Sequence, residues 1–246
     1  MTVADPDGAA AATNPREPRT RREATRLRHE TALLGIAAVI SPPLVLVSFW
    51  FIGAIAGVGG RALTGALEAG VPLSVGITAA SMLSAESSLE LQLTSPGGFR
   101  PAALRRLGLM IVWAGALSLA AAVVGRATGV LDSWPGSADP LRDALMSTAP
   151  LAAFAVWGCV LGVALRSRGA AAAAITGFWL GAIAFKDWFL GHDLLRAWYP
   201  FMATFAPKDD GVLTSRFVLL GIAAVGVGIL AAWLGHGEWL LGSEDR

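Results

Sequence analysis

The chain has 246 residues, of which 54% are hydrophobic and only 15% charged, with a formal net charge of +1. A water-soluble domain carries about a quarter of its residues as charged side chains, so this composition, with a mean hydropathy of +0.59, excludes an ordinary soluble fold. The lone cysteine, Cys159, excludes an intrachain disulfide and a cysteine-based metal cluster, and its apolar surroundings predict a packed thiol.

Residues 1 to about 20 are rich in Ala, Pro, Asp and Thr without a periodic apolar face, and read as a disordered tail. The first apolar run begins near Thr31 and is too long for a secretory signal. Between them Arg21, Arg22, Arg26 and Arg28 sit in RREATRLRHE, which is either a short helix along the membrane surface or an anchor of positive charge.

Six apolar spans follow. The first covers roughly Leu33–Gly57 as one bent helix, since Pro42 and Pro43 remove two backbone donors and require compensation from neighbouring groups. GVGGRALTGALEAG, with Arg61 and Glu68, reads as a brief exterior loop or interfacial helix before a short second span near Gly70–Ala85. The third runs over about Leu107–Val124, beyond the polar break Glu86–Arg106. The fourth and fifth, about Met146–Leu165 and Ala170–Phe185, are joined at Arg166–Gly169 as a tight helical hairpin. Gly158 and Gly162, like Gly177 and Gly181, are four apart, a spacing that permits close helix contact. A long insertion, Lys186–Ser215, carries Trp188, Phe189, Trp198, Tyr199, Phe201 and Phe205, an aromatic content suited to a membrane interface. The last span covers about Phe217–Leu234, leaving a short C-terminal tail at 237–246.

With the amino terminus inside, six spans place both termini, the Glu86–Arg106 break and the Arg166 turn on the cytoplasmic side. Twelve of the 19 basic residues then lie inside, and the seven outside include Arg61, Lys186 and Arg216.

Nucleotide chemistry is not encoded in this chain. A phosphate-cradling loop needs Gly-rich curvature followed by Lys and Ser or Thr, whereas the only lysines, Lys186 and Lys208, are each followed by Asp. No HExxH pattern occurs, and His192 with Asp193 reads as a polar helix end or loop rather than a metal site. A large basic domain and a recognition module for nucleic acid are both missing. Lys186 and Asp187 abut the fifth span, where a charge serves either as an interfacial anchor or in a translocation path. Glu86 and Glu90 share a face if the break is helical, and either dock on a basic partner or face water. Arg100, Arg105 and Arg106 face anionic headgroups or a protein.

In that break, SLELQLTSP (Ser88–Pro96), followed by Arg100 and an apolar span, resembles the permease subunit of type-2 ABC exporters. The family's segment between the second and third spans has the form glutamate, several leucines, Ser or Thr, then Pro, and Glu90, Leu91, Leu93, Ser95 and Pro96 fit it. The resemblance implies an all-α permease of six transmembrane helices over 21–236, with an amphipathic entry helix near Arg21–Thr31. It implies a cytoplasmic coupling helix near Glu86–Thr94, with Glu86, Glu90, Leu91, Leu93 and Pro96 contacting a separate ATPase that binds ATP and Mg, and a membrane-associated insertion over Trp188–Pro207. It further implies a non-enzymatic chain in the inner or plasma membrane, paired with a second permease, identical or homologous, and moving a hydrophobic or amphipathic cargo. A scaffold or regulatory subunit of the same topology is the competing reading. An intramembrane enzyme using Asp187, His192 and Asp193 is a third.

Overall fold

The computed structural model describes residues 35–84, 99–131 and 140–235, and these fold as an all-helical bundle. Helix α1 spans Gly35–Ala56, α2 Gly59–Gly65 and α3 Val71–Ser84, with a π turn at Ala66–Gly70 joining the last two. After them come α4 (Phe99–Ala127), α5 (Pro140–Leu165) and α6 (Arg168–Ala184). Three short helices form a connector: α7 (Lys186–Leu190), α8 (Asp193–Trp198) and α9 (Met202–Phe205). The last helix, α10, covers Val212–Gly235.

Five helical stretches are long and apolar enough to cross a membrane: Ile36–Ala56, Gly59–Met82, Arg100–Ala127, Leu141–Leu165 and Val212–Gly235. The expected fifth span is the 17-residue α6, a shorter apolar helix. The expected exterior loop at Arg61 and Glu68 is corrected. Residues 59–82 form one continuous span, and the second span therefore begins about ten residues earlier than Gly70. The entry segment, the coupling segment with Glu86, Glu90, Leu91, Leu93 and Pro96, and the tail at 237–246 lie outside the described residues.

At the centre stands α5, which touches α3, α4, α6 and α10; its contact with α3 is the most extensive in the bundle. Glycine makes that contact possible. A Cβ at Gly158 would fall 2.2 Å from the Gly76 carbonyl oxygen, and one at Gly162 would fall 2.4 Å from that of Ala80. The backbones of α3 and α5 thus meet at distances that no other residue permits. The Cys159 thiol between these glycines is buried and donates to Ala79 O at 3.5 Å. Gly177 and Gly181 on α6 have no atom within 4 Å of such a Cβ, so the same spacing makes no seam there within the chain.

Proline leaves a readable trace in two spans. Pro43 cannot donate to Val39 O one turn back, and the indole Nε1 of Trp113 on α4 donates to that oxygen instead, at 3.2 Å. Pro72 follows the π turn, in which the Val71 amide donates five residues back to Ala66 O; Trp179 Nε1 on α6 donates to Ala69 O at 3.0 Å. A neighbouring helix thus supplies the compensation expected for Pro43.

The α4–α5 hairpin is closed by an ion pair, Arg126 Nη2 to Asp143 Oδ1 at 2.6 Å. Arg126 lies in the last turn of α4 and Asp143 in the first turn of α5, where each charge also suits its helix dipole. At the opposite end, α5 and α6 are joined through Arg166 and Ser167, whose hydroxyl caps α6 by accepting from the Ala170 amide at 3.3 Å.

Candidate functional site: a buried charged junction beneath the connector

Glu68 occupies the π turn and is completely buried. The local widening of the helix before Pro72 is the feature that distinguishes its position, since π turns inside α-helices concentrate at functional sites. Arg216, also completely buried, reaches it from the second turn of α10, and its Nη2 forms an ion pair with Glu68 Oε1. Three further donors converge on the carboxylate. The Ala203 amide donates to Oε1 at 2.9 Å; the Thr204 amide and hydroxyl donate to Oε2, the hydroxyl at 2.6 Å. Glu68 thereby satisfies the free amides of the first turn of α9 while neutralising Arg216.

The arginine extends the network toward the preceding loop. Its Nη1 donates to Pro200 O at 2.8 Å, and the neighbouring Ser215 hydroxyl donates to Tyr199 O at 2.8 Å. Two buried atoms, Arg216 Nε and the Tyr199 hydroxyl, find no partner among the described residues. Two charges can be held this deep only because each meets the other and most of their remaining hydrogen-bonding capacity is used.

Aromatic packing fixes the connector over this junction. Phe201, fully buried, lies 5.7 Å from the Tyr199 ring, 6.1 Å from Phe154 on α5 and 6.4 Å from Trp179 on α6, measured between ring centroids. Phe189 stacks on the other side of Tyr199 at 5.5 Å. Burial, with the Asp187 carboxylate as a lesser cause, pushes the Tyr199 phenol above its ordinary value.

A second ion pair ties the connector to itself near solvent. Arg196 of α8 pairs with Asp209, whose other oxygen accepts from the Gly211 amide at 2.7 Å. The Arg196 bond holds the Asp209 carboxyl below the usual carboxylate range, and Asp209 raises the Arg196 guanidinium.

Lys186 and Asp187 do not join the junction. Lys186 is half-buried with its ammonium 5.4 Å from the Phe205 ring centroid, and Asp187 is exposed. His192 stands at the start of α8, Nδ1 2.9 Å from Trp188 O, and no metal-holding group of three His, Cys, Asp or Glu occurs among the described residues. Arg106, expected at a polar break, lies buried inside α4.

Sequence reasoning separated the two halves of the junction. Glu68 was assigned to an exterior loop and Arg216 to the exterior charge count, yet both lie inside span helices. A signal was present in the Glu-x-x-x-Pro order of Glu68 and Pro72 between apolar runs, but nothing local identifies a partner 148 residues away.

Comparison with known protein families, curated proteins and solved structures finds no match for this chain.

Proposed function

We propose that this chain is the transmembrane subunit of an ATP-driven type-2 ABC exporter. It forms, with a second permease chain, identical or homologous, the path for a hydrophobic or amphipathic cargo. The observation that carries the reading is the SLELQLTSP segment, Ser88–Pro96, bracketed by a span ending at Met82 and another beginning at Arg100. A polar segment with two glutamates on one helical face, at the mouth of two spans, is placed to receive motion from a partner and pass it to both. In this reading α6 is a sixth, short crossing, both termini are cytoplasmic, and the connector with its Glu68–Arg216 junction lies on the outer side. ATP and Mg are bound by the separate ATPase, and coupling is mechanical: nucleotide binding moves the Glu86–Thr94 segment, and α3 and α4 move with it. The glycine-tight α3–α5 contact supports this, because a backbone-to-backbone seam carries displacement across the bundle as a unit.

Lys186 and Asp187 serve in this reading as interfacial anchors, with the lysine stem over Phe205 and the carboxylate toward water. One observation favours a second reading, a non-transporting membrane scaffold. The buried contacts of α5 are almost wholly apolar, and a polar lining shared by facing spans would be expected of a path within one chain.

The test is affinity purification from native membranes with identification of associated chains, repeated for the double variant Glu86→Ala/Glu90→Ala. Copurification of an ATPase that weakens in the variant, while the chain remains in the membrane, supports the exporter. Absence of an ATPase, or mapping of the 85–98 segment to the outer face, overturns it.

A further inference from the structure

The bundle contains a cavity of about 470 Å³ on the side away from Glu68, between α5, α6 and α10 and beneath the connector. Phe154 and Trp157 of α5, Ile175 and Phe178 of α6, Trp198 of α8 and Ile222 of α10 supply its main walls. Every lining residue is apolar or aromatic. The Trp157 indole nitrogen already donates to Ile222 O at 3.3 Å, so it is not held in reserve for a ligand. A guest inside would have almost no hydrogen bond to make, which restricts it to hydrocarbon.

Shape narrows the class further. On α5 the lining runs from Ala153 to Leu161, a rise of about 12 Å along the helix. A transmembrane helix of another copy, about 10 Å across, would need roughly 900 Å³ over that length, about twice the space available. The same 470 Å³ holds about fifteen groups of roughly 30 Å³, the share of a water molecule and close to that of a methylene. One unbranched chain fits, and a helix does not.

The opening faces where such chains are found. Phe154, Ile175 and Pro200 at the back are buried, whereas Ala174, Phe178 and Trp198 at the mouth are exposed. Leu180 and Leu194 continue the exposed apolar surface on either side of that mouth. In a bilayer these residues face acyl chains, and the short helices α7 and α8 lie across the interfacial end with the aromatic residues of a headgroup belt.

We propose that this cavity is a binding site for a single acyl chain of a membrane lipid, entering sideways between α6 and α10 with its headgroup at the connector. The site is complete within one chain, and its occupancy does not depend on the exporter reading.

The test uses the purified full chain in phosphatidylcholine nanodiscs doped with phosphatidylcholine carrying a diazirine in one acyl chain. After photolysis, adducts are mapped by mass spectrometry. Labelling at Trp157 and Phe178 is expected to exceed that at Val112, which is more exposed on α4. In Ala174→Trp, which fills the mouth from an exposed position, cavity labelling is expected to fall several-fold with Val112 unchanged. Ala224→Trp, exposed on α10 away from the cavity, should leave both as they are. A parallel arm adds a diazirine fatty acid from water: labelling by the diacyl lipid alone identifies a resident of the bilayer, and labelling by both identifies a site open to any single chain. Adducts no richer at Phe178 than at Val112, or indifferent to Ala174→Trp, overturn the proposal, as does protection of Phe178 by crosslinking to a second copy. No nucleotide or ATPase enters the assay, so its failure is separate from failure of the transport reading.

Discussion

Two ion pairs hold the connector, and they differ in almost everything except chemistry. Glu68–Arg216 joins two spans 148 residues apart, with both side chains fully buried and three further donors on the carboxylate. Arg196–Asp209 joins positions 13 apart, with the arginine side chain 36% exposed. The first fixes where α9 sits relative to the bundle, because the carboxylate binds an arginine on one side and the backbone amides of α9 on the other. The second shapes a local turn that water can also solvate. Charge pairing inside this protein is therefore an architectural device at one site and a minor adjustment at the other, and burial decides which.

The largest effect is expected where one buried partner is removed. Arg216→Met leaves the Glu68 carboxylate deep in the bundle with only neutral donors, and should cost about 3–5 kcal/mol. Thermal unfolding in detergent and the amount of folded protein in membranes are the measurements. The double variant Glu68→Leu/Arg216→Met should be less damaging than Arg216→Met alone, since no uncompensated charge remains. It should not reach the wild-type melting temperature, because the Ala203 and Thr204 amides and Pro200 O each lose a partner. A double variant as unstable as the single would show that the charge itself is not what the junction resolves.

A neutral contact between spans supplies the intermediate scale. Trp113→Phe removes the donor to Val39 O beside Pro43 but keeps the ring, and is expected to cost about 0.5–1 kcal/mol, read as a small drop in melting temperature. Combined with Pro43→Ala, which restores the helical amide, the same change should become close to neutral.

These contacts mark where the sequence was legible. Apolar runs separated by charge located the helices, because hydrocarbon excludes charge and the pattern survives in one dimension. Gly158 and Gly162 formed a seam as their spacing permits, while Gly177 and Gly181 did not, since spacing says nothing about which faces meet. Glu68 was misplaced because the rule that excludes charge from spans fails when a distant charge neutralises it. The π turn that aims it inward depends on Pro72 and on packing with α6 and α9 together. The proposed coupling residues, outside the described positions, rest on their motif alone.

The exposed pair should give the smallest effect, and one that depends on pH. Arg196 and the Gly211 amide hold the folded Asp209 pKa below its unfolded value of about 3.9. Stability from this group is therefore present above that value and lost as pH falls through the lower, folded one. Arg196 is shifted upward, so its share is present below the ordinary arginine range and would be lost only at extreme alkaline pH. At neutral pH, Asp209→Asn should shift the melting temperature by no more than the scatter between replicates, as expected for a solvated pair. Limited proteolysis with an acid-active protease should separate the variants: wild-type connector cleavage should rise as pH drops below 4, and Asp209→Asn should remove that rise. Equal acid sensitivity in the two would mean that the carboxylate controlling the connector is the buried one, and that solvent reaches Glu68 before Asp209 loses its charge.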